Sequence, residues 1–443
     1  MQDVKLTLIK TLIKKAMEKM KKEFKRSKIK WTEFIMIIIL LGLYKKVALP
    51  KKGQSKAQRK AQIEAQSNAQ IYLATTNPAE REKDNYESKT IAIPKKLLEH
   101  LPTDIASYSE ILNLYIAVYI NTKVECYTDC VSPLYTIVGS KNHTMQEQTA
   151  QAVDGMQLDH SEMTLIDACC ATGSLFFGLK TYDWKKVVLN DLNPLRTNFL
   201  NVLMKKPFEL LKMILAQDLS FIDNPDTKNP VLKEYKEVLE IYQGKRANYH
   251  HVDCNVEIAY KMFVSQCIDK KFIENWEQIF NRLLRFIPAH LKLINANAVI
   301  TQEDCKEYLK NNITIKLPKG KSLTLDSNRL LLLDPPYIGT EKQCAIDDYD
   351  YASFHEFTAI HLEKAQFPFL YYCRSSAPKN THEYTKEKAE HIMKQKLSDY
   401  FFNKNHSFQK VHLNNGATTE LMISNRNYSS EQFRWTKMTD DIL

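Results

Sequence analysis

The sequence has little glycine, no cysteine pairs spaced for zinc, and no apolar run long enough to cross a membrane. Its 443 residues include only 10 glycines and nine scattered cysteines. Cys126 and Cys130 lie four residues apart without a second pair, which argues against a zinc site. An odd number of scattered cysteines is typical of a reducing compartment, so we expect a cytoplasmic, intracellular protein.

The longest apolar run is FIMIIILLGLY, residues 34–44. A run of this length is too short to span a bilayer, and Lys45 and Lys46 end it. A signal peptide also fits poorly, because no small-residue cleavage site follows. The run therefore predicts a helix in the core or against a protein partner, with a membrane anchor as the disfavoured alternative.

Positive charge is concentrated at the N-terminus. Residues 1–60 contain 18 Lys and Arg against 4 Asp and Glu, a net charge of +14, whereas the remainder carries −4. Apolar residues recur at helical spacing among the lysines of residues 4–30, which predicts a basic amphipathic helix. Contact with phosphate backbones and a merely solvated basic face both stay open.

Composition divides the chain into segments. Alanine-glutamine pairs repeat every four residues within 51–72, residues 77–95 form a charged linker bounded by prolines, and a helix is predicted over 102–120. We expect four parts: a basic and apolar helical arm (1–50), a helical connector (51–125), a catalytic domain (126–206 and 288–443) and an inserted segment (207–287).

Two apolar segments that each end in an acid, residues 163–167 and 187–191, flank a turn of small residues. They predict a strand, a tight turn, a helix and a second strand, which is one half of a doubly wound parallel sheet. Small residues let backbone amides approach a ligand, and the acid at the tip of the second strand can hold ribose hydroxyls. The glycines that cradle a pyrophosphate are absent, so a phosphate-free adenosine cofactor, S-adenosylmethionine, fits better than a dinucleotide.

The most informative stretch is LLLLDPPYIG, residues 330–339. Four leucines predict a strand buried on both faces, and two prolines end its pairing because they lack a backbone N–H. The turn would present the Asp334 carboxylate, the Pro335 carbonyl and the Tyr337 ring at the edge where open α/β sheets bind ligands. Adenine could stack on Tyr337 and donate its amino hydrogens to the two acceptors. An ordinary proline turn is the alternative interpretation.

Taken together and in this order, the motifs resemble those of the Dam-type DNA adenine-N6 methyltransferases over about residues 130–430. Asp334-Pro335-Pro336-Tyr337 matches the family's catalytic motif residue for residue, and Asp in its first position favours adenine over N4-cytosine. The resemblance implies an α/β, Rossmann-like class I methyltransferase fold. It also implies that the helical segment 207–287 is a target-recognition insertion, while the basic N-terminal extension is additional.

The same resemblance implies a cofactor site drawn from four segments. These are YTIVGSK (135–141), DACCATGS (167–174), NDLNP (190–194) and NAVITQEDC (297–305). Asp191 would hold the ribose, and Asp304 the adenine amino group, with Asp253 as a weaker competitor for that role. The residues implied to bind the cofactor are Gly139, Ser140, Lys141, Asp167, Ala168, Ala171, Gly173, Ser174, Asp191, Asp304 and Asp334.

The expected activity is therefore methyl transfer from S-adenosylmethionine to the N6 of an adenine flipped out of duplex DNA, without a metal. Adenine in RNA is an alternative substrate. A catalytically weak subunit that binds nucleic acid within an assembly is a second alternative, and a protein partner could bind the N-terminal arm. Whether a restriction enzyme accompanies the protein stays open.

Candidate phosphate contacts in the insertion are Lys228, Lys233, Lys236, Lys245, Arg246, Lys270 and Lys271.

Overall fold

The structure is a computed structural model. It describes residues 2–47, 86–93, 98, 101, 108–131, 134, 143–216, 254–267, 276–313, 328–336, 351–363, 365, 367–374, 409–414, 419–425 and 436–437. The described strands are β1 (Gln2–Ile9), β2 (Tyr86–Ile93), β3 (Thr164–Asp167), β4 (Lys186–Asn190), β5 (Ala298–Thr301), β6 (Arg329–Leu333), β7 (Phe369–Arg374), β8 (Gln409–Asn414), β9 (Thr419–Ser424) and β10 (Thr436–Lys437). The described helices are α1 (Lys10–Glu23), α2 (Trp31–Val47), α3 (Tyr108–Asn121), α4 (Glu125–Thr128), α5 (His143–Gly155), α6 (Ser174–Gly178), α7 (Pro194–Lys205), α8 (Pro207–Ala216), α9 (Val256–Cys267), α10 (Trp276–Leu283), α11 (Phe286–Asn295), α12 (Cys305–Ile313) and α13 (Tyr351–Glu363).

Within the described residues, eight strands form one sheet in the order β10-β8-β9-β7-β6-β3-β4-β5. The five strands from β7 to β5 are mutually parallel. Strand β9 is antiparallel to both β7 and β8, so β8 runs in the same direction as the five. From β3 the chain moves outward through β4 to β5 and then returns to the other side of β3 for β6 and β7. This is the order of a doubly wound sheet, and the expected α/β class, compatible with a Rossmann-like fold, is confirmed.

Strand β6 is buried on both faces, as its leucines predict. Leu330 and Leu332 belong to one apolar cluster, whereas Leu331 and Leu333 belong to another on the opposite face. All four are at most 1% exposed. Alternate side chains of a strand point to opposite faces, so a strand covered by helices on both sides must be apolar throughout.

Helix α2 is a core helix. Its apolar residues from Phe34 to Leu41 are each at most 1% exposed, and the helix packs against α3, α11 and β2. A helix that is apolar all round has to be covered on every side, and neighbouring elements of this chain do so. Of the helices that the structure describes, none has the length and apolar character needed to cross a membrane.

The helix predicted over residues 4–30 is wrong in its first part. Gln2–Ile9 is a strand that pairs antiparallel with β2, Tyr86–Ile93, and the helix begins only at Lys10. Strand β2 in turn lies in the stretch predicted to be a charged linker. Val4, Leu6 and Leu8 also satisfy the period of a strand, and pairing with a distant segment decided between the two periods.

Other predicted elements are confirmed where the structure describes them. The helix expected over 102–120 is present as α3, and the described parts of 207–287 are helical as α8, α9 and α10. The Ala-Gln repeat lies outside the described residues. The domain boundaries stay a prediction.

A buried lysine fastens α6 to its surroundings. Lys292 of α11 donates from Nζ to the carbonyl oxygens of Thr128 and Phe177, each at 3.0 Å, and also to that of Leu179. An ammonium group has three N–H donors, and here three carbonyls accept them. Lys292 therefore holds the C-terminal end of α6, while the N-terminal end of α6 begins at the small-residue turn after β3.

Candidate functional site

Three aspartates lie at the carboxyl ends of three neighbouring parallel strands. Asp167 ends β3, Asp191 follows β4 and Asp334 follows β6. Strands β3 and β6 are adjacent, and they are the pair at which the winding of the sheet reverses. Ligands of open α/β sheets bind in the crevice outside this point. The structure thus brings three of the predicted site residues to one position of the sheet edge.

Asp167 is a buried carboxyl group without a hydrogen-bond partner. The residue is 1% exposed, and neither Oδ1 nor Oδ2 is hydrogen bonded. Burial raises the pKa of this carboxyl well above its usual value, and the charges of Asp334 and Asp191 raise it further; the nearby amide of Cys169 opposes the shift without reaching hydrogen-bond geometry. A cationic or hydrogen-donating group in the crevice would relieve this cost.

Asp191 is in the opposite situation, because donors of this chain already bind both of its oxygens. Oδ2 accepts from the backbone N–H of Ala171 at 2.8 Å and pairs with Arg196 at 3.3 Å, and Oδ1 accepts from the N–H of Asn193 at 2.8 Å. Asp191 therefore stabilises the turn after β3 by accepting a hydrogen bond from Ala171. The predicted ribose contact would have to share these oxygens or replace Arg196.

In the turn after β3, Ala171 has a backbone conformation that glycine favours. Ala171 has a φ of 49°, in the left-handed region that glycine adopts without strain. Gly173 has a φ of 71°, and a Cβ there would come within 2.8 Å of the Phe177 ring. Ser174 begins α6, and its carbonyl accepts a hydrogen bond from the Gln146 side chain at 2.7 Å. The turn therefore follows a compact, fixed path.

Asn190 is a residue of this edge that sequence reasoning did not single out. Its Nδ2 donates to the carbonyl oxygens of Ala168 at 3.0 Å and Glu303 at 3.1 Å. Its Oδ1 accepts from the Thr301 hydroxyl at 2.8 Å and from the Glu303 N–H at 3.1 Å. One fully buried amide thus fixes the ends of β3, β4 and β5 relative to one another. The signal in the sequence was an amide at the end of an otherwise apolar strand.

Asp304 acts as the N-cap of α12. Its Oδ1 accepts from the backbone N–H of Lys306 at 2.7 Å and of Glu307 at 3.4 Å. Capping satisfies helix N–H groups that have no partner within the helix. Neither bond uses Oδ2, and the contact with an adenine amino group stays a prediction.

The turn after β6 is held by a histidine that the sequence did not reveal. Pro335 is buried, and Asp334 and Pro336 are half-buried. The carbonyl oxygen of Pro336 lies 3.0 Å from Nε2 of His355 on α13, and the Nδ1 of His355 is hydrogen bonded to the Tyr371 hydroxyl. Helix α13 contains two histidines, His355 and His361, and nothing in the sequence showed that His355 would contact the turn.

Several predicted residues lie outside the described residues. They are Gly139, Ser140, Lys141, Asp253, Tyr337 and the seven basic residues named in the insertion. Across the described ranges, no group of three or more His, Cys, Asp or Glu residues is arranged to hold a metal ion.

A basic cavity of about 760 Å3 lies at the corner between α1 and α2. Lys25 in its wall donates from Nζ to the carbonyl of Ile294 at 2.8 Å and to Oδ1 of Asn297 at 2.9 Å. Asn297 immediately precedes β5, so the cavity lies at the amino end of that strand, opposite the edge that carries the aspartates. Its lining is Met17, Lys21, Lys25, Arg26, Ser27, Lys28, Ile29, Lys30 and Glu33.

No family model matches this chain, and comparison with curated proteins finds no match.

Proposed function

We propose that this protein transfers a methyl group from S-adenosylmethionine to the N6 amino group of adenine in DNA. The observation that carries the proposal is Asp167, a buried, unpartnered carboxyl group at the switch point of a doubly wound sheet. Asp334, the first residue of the Asp-Pro-Pro-Tyr segment, lies close enough to raise its pKa. The cofactor and the catalytic turn would thus meet at one place.

The charge of the crevice supports this cofactor. Three carboxyl groups come from neighbouring strand ends, and S-adenosylmethionine carries a sulfonium and an ammonium group. A buried carboxylate that lacks a partner gains most from a cation. The glycine-like path at Ala171 also lets backbone amides approach a ligand closely.

The bound cofactor would supply a methyl group on a positively charged sulfur, a strong electrophile. The residues of this chain would position the amine. The Asp334 carboxylate and the Pro335 carbonyl would accept the two amino hydrogens of adenine, and by the family resemblance Tyr337 would stack on the ring. The base has to leave the duplex for its amino group to be reached in line. The amine nitrogen would form its bond to the methyl carbon as the carbon–sulfur bond breaks, which leaves a neutral thioether. The methylated nitrogen would lose its proton to solvent afterwards, so Asp334 need not remove a proton before attack. Most of the rate enhancement would come from orientation.

The test uses the full chain and S-adenosylmethionine with a labelled methyl group. Duplex DNA, single-stranded DNA and RNA are each offered, and the products are digested to nucleosides. We expect N6-methyladenine from DNA, and a fall of more than about a hundredfold in Asp334→Ala, because orientation of the amine is lost. Full activity of that variant would contradict the proposal. Incorporation of label into RNA alone would change the proposed substrate from DNA to RNA.

Calorimetry separates a weak enzyme from a non-catalytic module. At a pH below the raised pKa of Asp167, we expect S-adenosylmethionine to bind the parent protein with release of a proton, because a cation lowers that pKa. Titration in two buffers with different heats of ionisation measures that proton. Asp167→Asn should lose both the binding and the proton, whereas Glu162→Gln, at an exposed acid that precedes the amino end of β3, should keep both. Absence of binding to the parent protein would leave only the non-catalytic alternative.

A further inference from the structure

A buried histidine connects the turn after β6 with the strand beside it. His355 is 1% exposed, and its two ring nitrogens contact the Pro336 carbonyl and the Tyr371 hydroxyl. Tyr371 lies on β7 directly opposite Leu333, the last residue of β6. The imidazole therefore spans from the catalytic turn to the neighbouring strand.

The chemistry of these groups fixes the direction of both hydrogen bonds. A carbonyl oxygen can only accept, so Nε2 of His355 carries a proton and donates to Pro336. Nδ1 is then the acceptor, and the Tyr371 hydroxyl donates to it. Burial lowers the pKa of His355 to about 4 and raises that of Tyr371 well above its usual value, so both groups stay neutral near pH 7.

The two prolines of the turn offer only their carbonyl groups for backbone hydrogen bonds. Pro335 and Pro336 have no backbone N–H, so their carbonyls are the backbone groups through which neighbours can orient them. The Pro336 carbonyl belongs to the peptide unit that continues into Tyr337. That unit is planar, so a donor fixed at its oxygen orients the whole plane.

We propose that His355 is a positioning residue, which fixes the Asp334-Pro335-Pro336 turn through its hydrogen bond to the Pro336 carbonyl. The inference rests on the proposed function, since it assigns the turn to catalysis. His355 would not touch the substrate. Tyr371 would act one step further out, by holding the imidazole in the plane in which Nε2 faces the turn.

The test compares two substitutions that keep different halves of the imidazole. In His355→Gln the side-chain amide can still donate from near the Nε2 position, whereas in His355→Asn a donor remains only near Nδ1. We expect kcat of His355→Asn to fall about a hundredfold, as for a misplaced reacting group. His355→Gln should lose roughly tenfold or less, the equivalent of one weakened hydrogen bond. Cofactor affinity, measured by calorimetry, should stay within about twofold in both, because a residue that orients only the turn leaves cofactor binding unchanged.

His290→Gln is the matched control. His290 lies on α11, is 2% exposed, and its Nδ1 is 3.0 Å from the carbonyl oxygen of Leu203. Burial also lowers its pKa to about 4. It thus shares burial and carbonyl contact with His355 but is not hydrogen bonded to the turn. We expect this variant to keep its kcat after correction for the folded fraction from urea unfolding.

A second readout does not depend on turnover. Fluorotyrosine placed at position 337 reports its surroundings by 19F NMR, and we expect its signal to move in His355→Asn and to stay in His290→Gln. An unchanged kcat and an unmoved signal in His355→Asn would overturn the inference, as would an equal loss of kcat in the control. If the parent protein transfers no methyl group but the signal still moves, the proposed function fails while the orientation of the turn by His355 stands.

Discussion

Asp167 and Asp191 show how two identical side chains at neighbouring strand ends can serve different purposes. Three donors of the chain surround Asp191, so it stabilises the turn against which it lies. No donor reaches Asp167, so it costs stability in the protein without a ligand. Groups that a fold leaves unsatisfied are concentrated at binding and catalytic sites, because a ligand can compensate them.

The same substitution should therefore have opposite effects at the two positions. We expect Asp167→Asn to raise the free energy of unfolding at pH 8 by about 1–2 kcal/mol, because an uncharged amide costs less to bury than an unpaired carboxylate. We expect Asp191→Asn to lower it by about 1–3 kcal/mol, since the ion pair with Arg196 is lost and an amide faces N–H donors. Urea unfolding of the two variants and the parent protein measures both changes.

The pH dependence follows from the raised pKa of Asp167. An aspartate in the unfolded chain titrates near pH 4, so between that pH and its higher folded pKa the folded protein binds more protons. The stability of the parent protein then falls as pH rises through this interval. The advantage of Asp167→Asn should be present at pH 8 and vanish near pH 4. A loss of stability at pH 8 like that of Asp191→Asn would show that Asp167 has a partner.

At the scale of secondary-structure elements, local patterns predicted more than distant pairings did. Strand β6 and the run from β3 to α7 were predictable, because each is specified by its own apolar run and its own turn residues. The pairing of β1 with β2 was not, since it depends on segments that lie far apart in sequence. For the same reason the hydrogen bonds of Asn190 and His355 could not be read from sequence. They depend on which strands and helices become neighbours.

Helix α2 shows how closely two elements of the core approach. A Cβ added at Gly42 would lie 2.4 Å from a ring carbon of Tyr115 on α3. We expect Gly42→Ala to lower the free energy of unfolding by about 1–3 kcal/mol, although alanine within a helix normally adds about 0.5–1 kcal/mol. In a Tyr115→Ala background the same change should be neutral or stabilising. Urea unfolding of the parent protein, the two single variants and the double variant gives the coupling free energy. A coupling free energy near zero would show that the two helices move apart at little cost.

At the scale of the whole molecule, the three aspartates of the candidate site and the basic cavity lie at opposite edges of the sheet. The aspartates stand at the carboxyl ends of β3, β4 and β6, whereas the basic cavity adjoins the amino end of β5. Residues 1–60 carry a net +14 and the remainder −4. A polyanion would therefore be attracted mainly to the N-terminal region, and a cationic cofactor to the opposite edge. Attraction of the DNA backbone and binding of the cofactor would then depend on different groups, while the flipped adenine itself has to reach the carboxyl edge.

This separation predicts that salt dependence and cofactor binding can be changed independently. Lys21, Lys28 and Lys30 line the basic cavity, and we expect the triple Lys→Gln variant to reduce the slope of log affinity for duplex DNA against log salt by about 2–3, because each phosphate contact contributes about 0.9. Affinity for S-adenosylmethionine should not change. Fluorescence anisotropy at several salt concentrations measures the slope.

The matched control neutralises three lysines that already pair with acids. Lys180 pairs with Asp154, Lys185 with Glu162 and Lys261 with Glu257. Both triple variants lower the net charge equally, so any effect of the overall field is the same in each. We expect the control to change the slope by less than about 1, because its lysines already pair with acids of this chain and contribute little to phosphate binding. Equal slopes in the two variants would mean that DNA affinity depends on the net charge of the protein and not on the basic cavity.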